Sequence, residues 1–269
     1  MIGCDMHSDS ALAVVADWIV NEHKAGNRYR PLPAEFAIES MADAYRIQAT
    51  LADTWRMTRG VMAGYKIALT SKPIQELCGI NAPIAGRIYA DTIHHGPAVI
   101  SLQDFGRLGL EFELAVRVSA DLKPMGTPWT AENVRSKIAT LAPAFELIED
   151  RSADYDHLDA CSMIADNAWS GGVILGPETA AWQHLDLVTN PVTLTLNGSI
   201  ESAVTGAAMG HPLTSLAWVA NLLNDQGTAL RAGDLVITGS TLATRFANLG
   251  DEARYHIDGL GHVELTITA

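Results

Sequence analysis

Apolar residues Leu12, Val15, Ile19 and Val20 recur at the three-to-four-residue spacing of one helix face, behind the capping cluster Ser8-Asp9-Ser10. Lys24-Ala25-Gly26 supplies a stop, and Arg30-Pro31-Leu32-Pro33 reads as a linker because each proline restricts the residue before it. Met41, Ala44, Tyr45, Gln48, Leu51, Ala52 and Trp55 predict a second helix over residues 40–59. After Gly60 the period shortens. Apolar runs at 61–69, 98–102, 110–118, 144–148 and 173–175 predict strands, and 130–141 reads as a helix with Thr130 as its N-cap.

The last third is rich in β signals. Residues 192–196, then Asn197-Gly198, then a second run form the strongest hairpin signature in the chain. Residues 212–223 predict a helix with Pro212 in its first turn. Residues 234–238, 253–257 and 262–268 predict strands, the last two joined by Asp258-Gly259. The pattern predicts an α+β fold: a helical N-terminal portion (1–60) and a mostly antiparallel, strongly curved β-core (61–269), together one structural unit.

A 48% hydrophobic composition provides for a sizeable core, and a net charge of −13 argues against nucleic acid or an anionic membrane as partner. An anionic substrate would be repelled by that field, so a local metal or lysine must attract it. Cys4, Cys78 and Cys161 form no CxxC pair and no disulfide framework, which points to a reducing, cytoplasmic setting. The N-terminus lacks the basic region of a signal peptide, and the apolar run at 11–20 is interrupted by Asp17 and too short to span a bilayer.

Candidate chemistry concentrates in the strand at 110–118. Residues two apart share a face, so Glu111 and Glu113 project side by side while Phe112 faces away. Carboxylates so placed in an apolar strand repel each other and lose hydration, and a divalent cation relieves both costs. Glu146 lies in a similarly apolar stretch and would complete an all-oxygen site, which favours Mg²⁺ or Mn²⁺ over zinc. The same spacing also fits a solvent-facing strand, and spacing alone does not separate the two.

Several stretches settle the reading together. Gly64-Tyr-Lys-Ile-Ala-Leu-Thr-Ser71, Ile88-Tyr-Ala-Asp91, Glu111-Phe-Glu113, Pro143-Ala-Phe-Glu146, Ile164-Ala-Asp-Asn-Ala168, Gly210-His-Pro-Leu213 and Gly233-Asp-Leu-Val-Ile-Thr-Gly239 follow in order along nearly the whole chain. The chain thereby resembles the hydratase/decarboxylase branch of the fumarylacetoacetate hydrolase superfamily. The resemblance implies a mixed, rolled β-core and a Mg²⁺- or Mn²⁺-dependent lyase with Glu111, Glu113 and Glu146 as ligands. It implies Lys66 and Asp91 as catalytic residues, and Leu69, Asn167, Ser240 and Arg245 near the substrate. The implied substrate is a small 2-oxo or enol acid from meta-cleavage of aromatic compounds. The implied reaction is hydration of a 2-hydroxydienoate to a 4-hydroxy-2-oxo acid, with 4-oxalocrotonate-type decarboxylation as the alternative. It further implies a homo-oligomer, with a complex with a pathway partner enzyme as a further option.

Each residue also has a plainer reading. Burial in a strand would lower the pKa of Lys66 and suit it to proton transfer, whereas a snorkelling lysine would be inert. Asp91 can cap the turn after it, and Asp166-Asn167 can end a helix. His94 and His95 suit a surface turn, and His211 a structural place before Pro212. The chain departs from the family pattern at Trp169, where a small residue is usual, and in the stretch 240–246. There Arg245 either meets a second substrate carboxylate or lies on the surface.

Overall fold

The computed structural model describes residues 9–38 and 40–269; Cys4 and Ser8 lie outside them. The N-terminal helices are α1 (Asp9–Lys24) and α2 (Met41–Arg59), the latter capped by the Ser40 hydroxyl. There follow β1 (Met62–Ala68), α3 (Lys72–Leu77), β2 (Ile84–Tyr89), β3 (Ile93–His95), β4 (Ala98–Ser101) and β5 (Leu108–Val118). Next come α4 (Ala131–Val134), β6 (Ile138–Glu149), α5 (Ala160–Ala165), β7 (Ser170–Leu175), β8 (Pro191–Leu196) and β9 (Ser199–Val204). The chain closes with α6 (Pro212–Asp225), β10 (Leu235–Ser240), β11 (Arg245–Phe246), β12 (Glu252–Ile257) and β13 (Gly261–Thr268). Among the described residues no helix is long and apolar enough to cross a membrane.

The strands divide between two mixed, mostly antiparallel sheets rather than one. An eight-stranded sheet runs β2-β1-β10-β5-β6-β7-β3, with β11 on the end of β5; a five-stranded sheet runs β4-β13-β12-β8-β9. Side chains alternate across β5, so Leu110, Phe112 and Leu114 face the main core, where Phe112 and Phe145 meet Tyr255 of the second sheet. The opposite face carries Glu111, Glu113 and Ala115. It curls on itself, bringing β2 back against β7, and packs Ile88, Ala115, Ala142, Ala144, Val173 and Ile237 inside the roll.

α1 and α2 pack their apolar faces together and onto Tyr89 and Ala165. Buried Gln48 of α2 donates to the Ala85 and Ile164 carbonyls, tying the helices to β2 and α5. The helix expected over 130–141 is only one turn of α-helix with a short 3-10 extension, because from Ile138 the chain pairs with β5. Thr130 does cap that turn, reciprocally with Asn133. His94 and His95 form an exposed edge strand rather than a turn, and His211 caps α6 through Nδ1.

Candidate active site

Glu111 and Glu113 share the inner face of β5, and the antiparallel register sets Glu146 of β6 directly opposite Glu111. The three carboxylates offer oxygens within 4.8 Å of one another. Glu113 and Glu146 are fully buried and Glu111 half-buried, so the arrangement carries a heavy desolvation cost. Glu113 Oε1 and Glu146 Oε2 accept no hydrogen bond from any described residue. The other Glu113 oxygen accepts from the Gly239 backbone N–H at 2.7 Å, and Glu111 accepts from the Thr244 hydroxyl at 2.6 Å.

Gly239 makes that contact because β10 breaks register with β5 between Ile237 and Ser240. Its φ of +102° is open to glycine, and an added Cβ would sit 2.8 Å from the Thr70 methyl. Lys66 reaches in from β1, across β10, and its Nζ lies 2.8 Å from Glu146 Oε1 without aligned hydrogen-bond geometry.

Burial pushes the Glu113 carboxyl well above its ordinary range, and its neighbours Glu146 and Glu111 push it further. Burial also raises Glu146, to about 7, against the pull of Lys66. For Lys66 the direction expected from the sequence is reversed. Burial acts to lower it, but Glu146, Glu111 and Glu113 outweigh burial and hold the ammonium above its usual value. Buried, mutually repelling oxygens with unpaired lone pairs suit a hard divalent cation, and the all-oxygen donor set fits one.

A cavity of about 410 Å³ opens over this cluster, with Lys66 and Glu111 in its lining. Leu69 and Ser240 also line it; Leu69 is in a left-handed conformation, φ +57°. The Ser240 hydroxyl is committed, accepting from Phe112 N and donating to the Leu242 carbonyl. Other expected site residues lie elsewhere. Asn167 is buried and clamps both backbone groups of Arg87 on β2. Arg245 is paired with Glu201 at 2.7 Å, and Asp91 is exposed beside Gly60; neither lines the cavity.

Trp169 does line it, with Tyr155, Leu158 and Met163 from the same segment between β6 and β7. Only Trp169 had a signal in the sequence, as a bulky residue where a small one is usual. The other three come from an aperiodic loop and a short helix.

Comparison with known proteins agrees with this geometry. The fumarylacetoacetate (FAA) hydrolase C-terminal model matches residues 79–268, a span that holds the three carboxylates. A 2-keto-4-pentenoate hydratase of Burkholderia vietnamiensis is 30% identical over 264 residues, 98% of this chain and 100% of that protein. A 4-oxalocrotonate decarboxylase of Pseudomonas putida is 30% identical over 242 residues, 90% of this chain and 88% of that protein. In structure, the 4-oxalocrotonate decarboxylase of Pseudomonas putida G7 complexed with magnesium and adipate superposes with a TM-score of 0.88. It is 27% identical, over 97% of this chain and 98% of that one. The motif resemblance is borne out: this chain belongs to the fumarylacetoacetate hydrolase family.

Proposed function

We propose that the chain is a metal-dependent hydro-lyase that adds water to a 2-hydroxy-2,4-dienoate, giving a 4-hydroxy-2-oxo acid. The observation that carries this reading is the end-to-end match to the hydratase at 30% identity. The buried Glu111, Glu113, Glu146 and Lys66 cluster supports it. The carboxylates would hold Mg²⁺ or Mn²⁺, which when bound supplies Lewis-acid polarisation at the substrate's C2 oxygen.

The chain's own residues supply orientation and proton transfer. Lys66 Nζ is the one cation among the described residues lining the cavity, and in this reading it attracts the anionic acid and moves protons. In the first step the 2-hydroxyl loses a proton and C5 gains one, leaving a conjugated 2-oxo acid. In the second, water gives its hydroxyl to C4 and a proton to C3. One water is added and nothing is oxidised.

Decarboxylation is the second reading, favoured by the structural match to the decarboxylase. Incubating the Mg²⁺- or Mn²⁺-loaded protein separately with 2-hydroxypenta-2,4-dienoate and 4-oxalocrotonate tests both. Formation of 4-hydroxy-2-oxopentanoate from the first is expected. Release of CO₂ from the second without hydration of the first would replace the hydratase reading by the decarboxylase.

A reducing cytoplasmic setting and a homo-oligomer belong to the same proposal. Free Cys78 and Cys161 are in keeping with the first, and exposed Val99, Ile200 and Leu249 offer apolar surface for the second.

A further inference from the structure

The cavity over the carboxylates has two unlike sides. Its floor is the rolled sheet, with Lys66, Glu111, Ser240 and the Thr244 hydroxyl bonded to Glu111. The rest is mostly apolar, from Ile74 of α3, Ile148 of β6, Leu158, Met163 and Trp169 between β6 and β7, and Leu242 after β10, while Thr70 and Ser71 between β1 and α3 add two neutral hydroxyls.

Among the described residues that wall offers no cation. Lys66 belongs to the floor, at the carboxylate cluster, and the arginines of the surrounding elements are each tied elsewhere: Arg107 to Asp150, Arg151 to Asp166 and Arg245 to Glu201. The Tyr155 hydroxyl, also in the lining, donates to Asp150. The Trp169 indole N–H has no acceptor among the described residues, but a single neutral donor replaces only part of a carboxylate's hydration.

Trp169 is also firmly held. It ends three successive residues in left-handed conformation, Asn167, Ala168 and Trp169, with φ of +53°, +49° and +58°. Asn167 anchors this turn to β2, and the indole packs edge-on against Tyr29 at 4.9 Å and Tyr155 at 6.0 Å. Such strain persists where the surroundings over-determine the backbone, here at the cavity wall.

We infer that the substrate's far end is an uncharged apolar group, alkyl or aryl, seated against Trp169, Leu158 and Met163. This rests on the 2-hydroxydienoate reading and narrows it: the acid carries one carboxylate, and its C5 end is extended by carbon. The cavity of about 410 Å³ is larger than a five-carbon acid needs. The decarboxylase relative, by contrast, was solved with adipate, a dicarboxylate.

Calorimetry on the metal-loaded protein with saturated 2-oxo acids tests this without turnover. 2-Oxooctanoate should bind at least about tenfold more tightly than 2-oxopentanoate, since each buried methylene adds affinity. 2-Oxoadipate should bind more weakly than either. Leu158 is half-buried, so an arginine there keeps access to solvent, and Leu158→Arg should improve 2-oxoadipate relative to 2-oxooctanoate by about tenfold. Trp169→Ser should shrink the advantage of 2-oxooctanoate over 2-oxopentanoate.

Equal binding of the two monoacids, or tighter binding of 2-oxoadipate by the unmodified protein, overturns the inference. The expected order without turnover of any 2-hydroxydienoate would sustain the apolar tail site and overturn the hydratase reading. Failure of all three acids to bind a metal-loaded protein would overturn both.

Discussion

Lys66 sits where burial and charge pull in opposite directions. At 2% exposure a lone ammonium would be driven towards its neutral form, yet the carboxylates beside it reverse that pull. In the proposed reaction its value would lie in holding a proton within a site crowded with negative charge. Replacing it by Met should lower turnover by about 10²- to 10⁴-fold, the usual range for a lost general acid–base group, while metal binding by calorimetry is retained. Near-normal turnover would remove Lys66 from the mechanism.

The pairing of Glu111 with Glu113 is legible in the sequence because alternation along a strand is a local property. The direction of the Lys66 shift is not, because it depends on charges carried by strands distant in the chain. Arg245 shows the same limit: its partner, Glu201, lies on another strand, and nothing near residue 245 announces it.

Single elements follow local signals until long-range pairing outbids them. The stretch at 130–141 has a helix start, and Thr130 with Asn133 does cap one turn. The strand from Ile138 to Glu149 pairs with almost all of β5, and that ladder ends the helix early. The hairpin around Asn197-Gly198 and the helix beginning at Pro212 were readable because their signals are complete within a few residues.

The register break in β10 belongs to the other kind. Only the folded sheet turns Gly239 N–H onto Glu113. Gly239→Ala should destabilise the fold by about 1–3 kcal/mol through backbone strain. It should also weaken metal binding, because Glu113 loses its fixed donor. Urea unfolding and metal titration check the two effects, and unchanged metal affinity would show that the bulge does not position Glu113.

Across the whole molecule, α1 is coupled to the cavity wall by a buried ionic cluster. Asp166, at the end of α5, meets His23 of α1 at 2.6 Å and also binds Arg151. Burial opposes the Asp166 charge, but His23 and Arg151 outweigh it and hold the carboxyl below its ordinary 3.8. A carboxyl depressed on folding adds stability that is fully present above its unfolded value and is lost as pH falls through the folded one.

Asp166→Asn should therefore cost about 3–5 kcal/mol at neutral pH, where it leaves Arg151 buried and unpaired. The gap to the unmodified protein should narrow once pH drops below 3.8. Urea unfolding at neutral pH and at about pH 3 reads both, and a constant gap would rule out the linkage. Neither the division into two sheets nor this cluster was visible in the sequence, because both depend on which distant segments meet.

All the candidate metal ligands sit on one ribbon, β5 paired with β6, whereas Lys66 arrives from beyond β10. Ion capture and turnover are thus separable under genetic drift. Lesions in β1 would tend to leave descendants that still retain an ion after catalysis has gone. Among diverged copies of this chain, co-purifying metal would testify to the ribbon and its Gly239 donor, and an intact lysine beyond them would be the better marker of a working enzyme.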